Sequence, residues 1–219
     1  MNIARMRLTG STYVGLFSVT NDNLCFVPQQ TEERAMKTLE ETLGVKVVKT
    51  SIYGSGLLAV FSKMNNKNIY LPSFASPKEI EEIEKEIKVK MIPTDHALGN
   101  MIEINDIGAI VSASLPKKAV DEIRKNGLKV YQMNVAGIDV VGSCIAATNR
   151  GFVVNPNVSR EEATRIEDTL EVKGGSSTAN TGDMFVRNSV LANKKGIILG
   201  ETTSPYEINR IEEALEGGQ

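Results

Sequence analysis

Ser76-Pro77-Lys78-Glu79-Ile80-Glu81-Glu82-Ile83 reads as the opening of a helix, and variants of it recur along the chain. Ser76 and Glu79 stand three positions apart, the spacing at which a hydroxyl and a carboxylate satisfy free backbone N–H groups of the first turn. Pro77 falls at the first helical position, where a missing N–H costs nothing. Ile80, Ile83 and Ile87 then line one face at helical spacing. The same grammar returns at Ser159–Glu162, followed by Ala163, Ile166 and Leu170, and at Ser204–Glu207, followed by Ile208, Ile211 and Leu215. Thr31 and Ser114 head weaker versions, with Ala35, Met36, Leu39 and Leu43 after the first and Val120 and Ile123 after the second. The five starts lie 45, 38, 45 and 45 residues apart. Such a period marks a repeated unit that buries its apolar face only against its neighbours.

Upstream of each helix the spacing predicts a hairpin. Gly10, Ser11, Phe17, Ser18, Asn21 and Pro28 match Gly54, Ser55, Phe61, Ser62, Asn65 and Pro72 at a fixed offset of 44. The second hairpin strand reads as residues 24–27, 68–71, 108–111, 151–154 and 196–199, β-branched runs after polar turns. A further strand is predicted after four helices, at 45–52, 88–92, 128–133 and, weakly, 171–173. The fifth helix has none, and the N-terminal segment 2–9 is available to supply it. The expectation is one closed α/β domain, 1–219, of five β-β-α-β units at about 10–53, 54–97, 98–139, 140–182 and 183–219, helices outside, with no exposed sheet edge.

With 41% hydrophobic and 24% charged residues the composition is that of an ordinary soluble chain, and no apolar run approaches the ~20 residues of a membrane span. The N-terminus, carrying Arg5 and Arg7, has no apolar central region of a secretion signal, so a cytoplasmic location is expected. A net charge of −2 argues against binding nucleic acid mainly by phosphate neutralisation. Two cysteines and one histidine offer neither a disulfide framework nor metal-ligand spacing, so no metal and no cofactor are expected.

Cys25 falls in a slot held elsewhere by Ile69, Ala109, Phe152 and Ile197, and Cys144 in one held by Phe17, Phe61, Met101 and Ser189. Both read as core residues rather than nucleophiles. His96, beside Asp95, reads as a partly exposed side chain without a catalytic role. The polar run 174–182 takes the place of a strand and reads as a flexible surface loop, with a binding loop as the alternative. Bases gather in strands and turns, among them Lys46, Lys63, Lys67, Lys88, Arg150, Arg187, Lys194 and Lys195, and read as solvated surface charge; the alternative is a basic ring end facing an acidic partner. Gly15, Ala59, Gly99-Asn100, Gly142-Ser143 and Arg187-Asn188 open the hairpins at equivalent places. Close packing and a binding surface at a ring end both account for them.

In this register Ala97-Leu98-Gly99-Asn100 with Asn105-Asp106, Gly142-Ser143-Cys144, Thr148-Asn149-Arg150-Gly151, Val154-Asn155-Pro156 and Gly15 resemble the archaeal and eukaryotic translation initiation factor 6 family. The resemblance runs over most of the chain. It implies a pentein, a five-bladed α/β propeller. It also implies a ribosome-binding anti-association factor without enzymatic activity, monomeric when free, that holds the joining face of the large ribosomal subunit and blocks premature joining of the small one. The implied partner is a ribosomal protein near the sarcin-ricin loop, with rRNA close by. Family interface residues map to Gly15, Val60 and Asn100, and Val60 stands where a eukaryotic relative carries arginine. The long C-terminal tail of eukaryotic members has no counterpart after the fifth helix, so regulation through it is not carried over. The alternatives are a pentein enzyme modifying guanidino groups with a Cys/His pair, and a scaffold that binds a partner through its acidic helices.

Overall fold

The computed structural model describes residues 1–218. The chain opens with β1 (Asn2–Met6) and then runs through five similar units. The first holds α1 (Val14–Phe17), β2 (Val19–Thr20), β3 (Leu24–Pro28), α2 (Glu33–Leu43) and β4 (Lys46–Thr50). The second holds α3 (Leu58–Phe61), β5 (Lys63–Met64), β6 (Asn68–Pro72), α4 (Pro77–Glu84) and β7 (Lys88–Ile92). The third holds α5 (Leu98–Met101), β8 (Ile102–Ile104), β9 (Gly108–Val111), α6 (Lys117–Lys125) and β10 (Lys129–Gln132). The fourth holds α7 (Val141–Cys144), β11 (Ile145–Ala147), β12 (Phe152–Val154), α8 (Arg160–Leu170) and β13 (Gly174–Ser176). The fifth holds a 3-10 turn (Val186–Ser189), β14 (Val190–Ala192), β15 (Gly196–Gly200) and α9 (Pro205–Leu215).

Each unit makes one three-stranded sheet, with an antiparallel hairpin and a parallel outer strand. The fifth sheet takes its outer strand from the N-terminus: β1 pairs with β15 from Asn2↔Gly196 to Met6↔Gly200. The short inner strands touch in a cycle, β2 to β5 to β8 to β11 to β14 and back to β2, which closes the five sheets around a pseudo-fivefold axis. This is the α/β, five-unit pentein arrangement. The long helices stand outside and bridge neighbouring blades, α4 against β7 and β4, and α6 against β10 and β7. Five clusters of buried side chains fill the blades.

The capping boxes at Ser76, Ser159 and Ser204 form as the spacing predicts. The three serine hydroxyls accept from the Glu79, Glu162 and Glu207 amides at 3.3, 3.2 and 3.4 Å, and the glutamates accept from the serine amides in return. The same carboxylates do a second job. Glu79 also accepts from the Tyr53 and Gly54 amides, Glu162 from Ala136, and Glu207 from Thr181 and Gly182. These donors belong to tight turns entering the unit, whose paired positive φ angles (56° and 66° at Tyr53 and Gly54) are those of a hairpin turn. One glutamate thus starts a helix and fastens the turn beside it.

Thr31 and Ser114 are not caps. The helix α2 begins after Glu32 and α6 after Pro116, so the cap positions fall at 32, 76, 116, 159 and 204. Thr31 is buried with its hydroxyl unpartnered, and Ser114 turns its amide to the Ser112 hydroxyl, one and two residues before the cap positions. The third unit is short because residues 93–97 replace the entering turn: isolated turn bridges join Leu8 to Ser11, Ile52 to Ser55, Val135 to Ile138 and Ala179 to Asp183, with none between β7 and α5. The strand after α8 lies at Gly174–Ser176 and not at 171–173, because Glu171 ends the helix in the left-handed region at φ 55°. The run 174–182 is therefore an edge strand and a fastened turn rather than a flexible loop.

Each sheet keeps an outer edge, contrary to the expectation that closure would leave none, because the ring closes through its inner strands only. Those edges are at most five residues long, and β4, β7 and β10 begin on an exposed lysine, devices that discourage edge pairing.

Candidate functional site

Strand direction sorts the molecule into two faces. The second hairpin strand and the outer strand of each sheet run the same way, so the entering turns, the inner helical turns and the N-termini of the long helices all lie on one face. The hairpin turns and the helix C-termini lie on the other.

On the first face α1, α3, α5, α7 and the 3-10 turn touch in a cycle around the axis. Gly15, Gly99 and Gly142 make that contact possible. An added Cβ would overlap the Arg187 carbonyl at Gly15, the Ala59 carbonyl at Gly99 and the Gly99 carbonyl at Gly142. Gly15 is buried, and its place is explained by close approach of backbones. One position further on, Leu16, Val60, Asn100, Ser143 and Asn188 ring the mouth, all half-exposed except the buried Ser143. Val60 and Asn100 are thus neighbours at equivalent positions, and the Asn100 Oδ1 accepts from the Ser143 hydroxyl at 3.4 Å. Tyr13, Tyr53 and Met184 are exposed on this face, with Tyr206 in the first turn of α9. Tyr53 packs edge-on against Phe74 at 5.2 Å, and Phe74 against Phe61 at 5.8 Å.

The opposite mouth is built from amides. Asn21 donates to the Asn65 carbonyl at 3.0 Å, Asn65 to Asn105 at 3.1 Å, Asn105 to Thr148 at 3.4 Å and Asn193 to Asn21 at 3.0 Å. Outside it, Asn66 bridges the Asp22 and Asp106 carboxylates at 2.8 and 2.7 Å, and Asn149 reaches Asp106 at 2.7 Å. The sequence signal for this mouth is the return of Asn at 21, 65, 105 and 193, of which the offset of 44 relates only the first pair.

Between the mouths the axis carries charge. Lys63 and Arg187 are buried, which overturns their reading as surface bases. Lys63 pairs with buried Glu103 and donates to the Gly142 carbonyl at 3.1 Å. The Arg187 Nη1 donates to the Gly15 and Val190 carbonyls at 2.7 and 3.0 Å, and its Nε stands 4.0 Å from Glu103. Several surface bases are matched by acids, Lys46 by Glu86, Lys129 by Glu171 and Lys194 by Asp22, so the second face is of mixed sign.

Both cysteines lie in the core as read, fully buried in separate clusters. Burial pushes the Cys25 thiol up to about 12 and the Cys144 thiol up to about 11, so neither is a thiolate at neutral pH. His96 is exposed, its Nδ1 3.1 Å from the Thr94 hydroxyl. No helix among the described residues is long and apolar enough to cross a membrane.

A closed ring of five such units, with both thiols buried in it, defines a pentein. The chain belongs to the eIF-6 family, whose model matches residues 3–214. It is 34% identical to Translation initiation factor 6 of Pyrococcus horikoshii over 98% of this chain and 99% of that protein. It is 32% identical to the Methanosarcina mazei factor of that name over 94% of each chain, and 28% identical to that of Thermoplasma acidophilum over 97% of this chain and 99% of the relative.

Proposed function

We propose that this protein is a cytoplasmic translation initiation factor that binds the large ribosomal subunit and keeps the small subunit from joining it prematurely. Membership of the eIF-6 family over nearly the whole chain carries the reading. The fold supports a mode of action by occlusion: a ring fastened at five inner contacts presents a fixed obstacle and needs no chemistry. We assign the contact to the mouth ringed by Leu16, Val60, Asn100 and Asn188, where a side-chain amide can meet a backbone group of a ribosomal protein and the exposed Tyr13 and Tyr53 add apolar area. Gly15 contributes from beneath, by holding α1 against the 3-10 turn. On this reading the protein is not an enzyme, acts as a monomer and reaches rRNA only at the margin of the contact.

Co-sedimentation with isolated archaeal large subunits tests the assignment. Asn100→Ala is expected to lower affinity about tenfold, a difference of about 1.4 kcal/mol, with an unchanged melting temperature. Equal affinity for Asn100→Ala and Val60→Asp would move the contact away from this mouth.

A further inference from the structure

The layer Val19, Lys63, Glu103, Ala146 and Leu191 lines a cavity of about 30 Å³ on the axis, with Arg187 reaching into it from the inner turns. Its lining carries two cations and one carboxylate, a surplus of one positive charge in the middle of the ring. Glu103 is already engaged twice over, by Lys63 and, at 3.1 Å, by the Ala147 amide. Arg187, about nine-tenths buried, directs its hydrogen bonds to protein through Nη1 alone. Its Nε and Nη2 donate to no protein acceptor among the described residues and are not sealed off by protein, so they are open to whatever occupies the cavity. Two buried cations sharing one carboxylate are costly unless an anion completes the set.

We propose that this axial cavity binds a single halide ion, chloride in solution, between the guanidinium of Arg187 and the ammonium of Lys63. Charge and room select the ligand. A volume of about 30 Å³ is enough to seat a monatomic anion. A monovalent ion also matches the surplus charge. The route in is the amide mouth, whose pocket shares Thr20, Met64, Ile104, Ala147 and Ala192 with the axial cavity. Burial and the Arg187 charge together hold the Lys63 ammonium down at about 8, a repulsion that a bound anion relieves.

The test uses the full chain. Crystals grown or soaked in sodium bromide are expected to show an anomalous peak on the axis beside Arg187 and Lys63. In solution, replacing gluconate by chloride at constant ionic strength is expected to raise the melting temperature of the wild type. Glu103→Gln removes the competing carboxylate while keeping its shape, and should bind halide about tenfold more tightly, a gain that a purely structural role would not produce. Arg187→Gln should abolish the chloride effect. No axial bromide peak, or a peak only at the surface, overturns the proposal, as does a melting temperature of the wild type indifferent to chloride against gluconate. A water-filled cavity gives that negative result.

Discussion

Gly15 and Asn100 are both implied at the interface, yet they sit differently and must fail differently. A Cβ at Gly15 would meet the Arg187 backbone, so Gly15→Ala should lower stability by about 1–3 kcal/mol and weaken ribosome binding only as the mouth distorts. Asn100→Ala removes one half-exposed amide and should leave the unfolding curve where it was. Urea denaturation of the two variants beside their binding curves separates the roles; matched stability would refute the packing account of Gly15. Glu207 makes a pH prediction. Burial works against its carboxylate, but hydrogen bonds from the Ser204 amide, the Thr178 and Ser204 hydroxyls and the Gly182 amide outweigh it and bring it down to about 2. Its folded pKa is therefore below its unfolded value, so its contribution is full above the ordinary carboxylate range and is lost as pH falls through about 2. Glu207→Gln should cost about 2 kcal/mol at pH 7 and flatten that acid limb, measured by denaturation from pH 7 to pH 2. The serine half of this device was legible, because Ser204 and Glu207 are three residues apart. The fastening of Thr181 and Gly182 was not, since it joins groups about 25 residues apart. Nor was the burial of Lys63 and Arg187, which look like surface bases until the ring sets them against Glu103.

At the scale of elements, the first unit lacks the fastening glutamate: Ala35 stands where Glu79 stands in the second, and Glu32 caps the helix without a side-chain bond. Grafting the box, Glu32→Ser with Ala35→Glu, should stabilise the protein by about 1 kcal/mol by capping α2 and holding the Thr9-Gly10 turn. A fall in melting temperature would show that the box does not transfer. The offset of 44 that joins the first two hairpins also relates Glu32 to Ser76, so the register pointed to the right cap while residue type pointed to Thr31. In the third unit Ser114 is likewise a good capping residue by type, but it stands two positions before the cap at Pro116. Strand β1 was legible from the missing strand of the fifth unit. Removing residues 1–7 should therefore expose the edge of β15 and abolish cooperative unfolding, as read by circular dichroism; an unshifted melting transition would contradict the pairing of β1 with β15.

For the whole molecule, the repeat made the ring readable because each unit leaves unsatisfied what its neighbour supplies. Helices lean on the next blade, amides donate to the next hairpin turn, and inner turns meet carbonyl to glycine. What the repeat could not convey is where the units differ. The axial charges, the shortened third entry and the ring of Leu16, Val60, Asn100 and Asn188 are departures from symmetry, and a surface for a single partner has to be built from such departures. The central claim is that this ring occludes subunit joining. Light scattering on mixing isolated large and small archaeal subunits at joining magnesium concentrations measures it directly. Large subunits preincubated with saturating protein should show a reduced association amplitude, and Asn100→Ala should need about tenfold more protein for the same reduction. An unchanged amplitude with large subunits shown by co-sedimentation to be fully occupied would contradict the account.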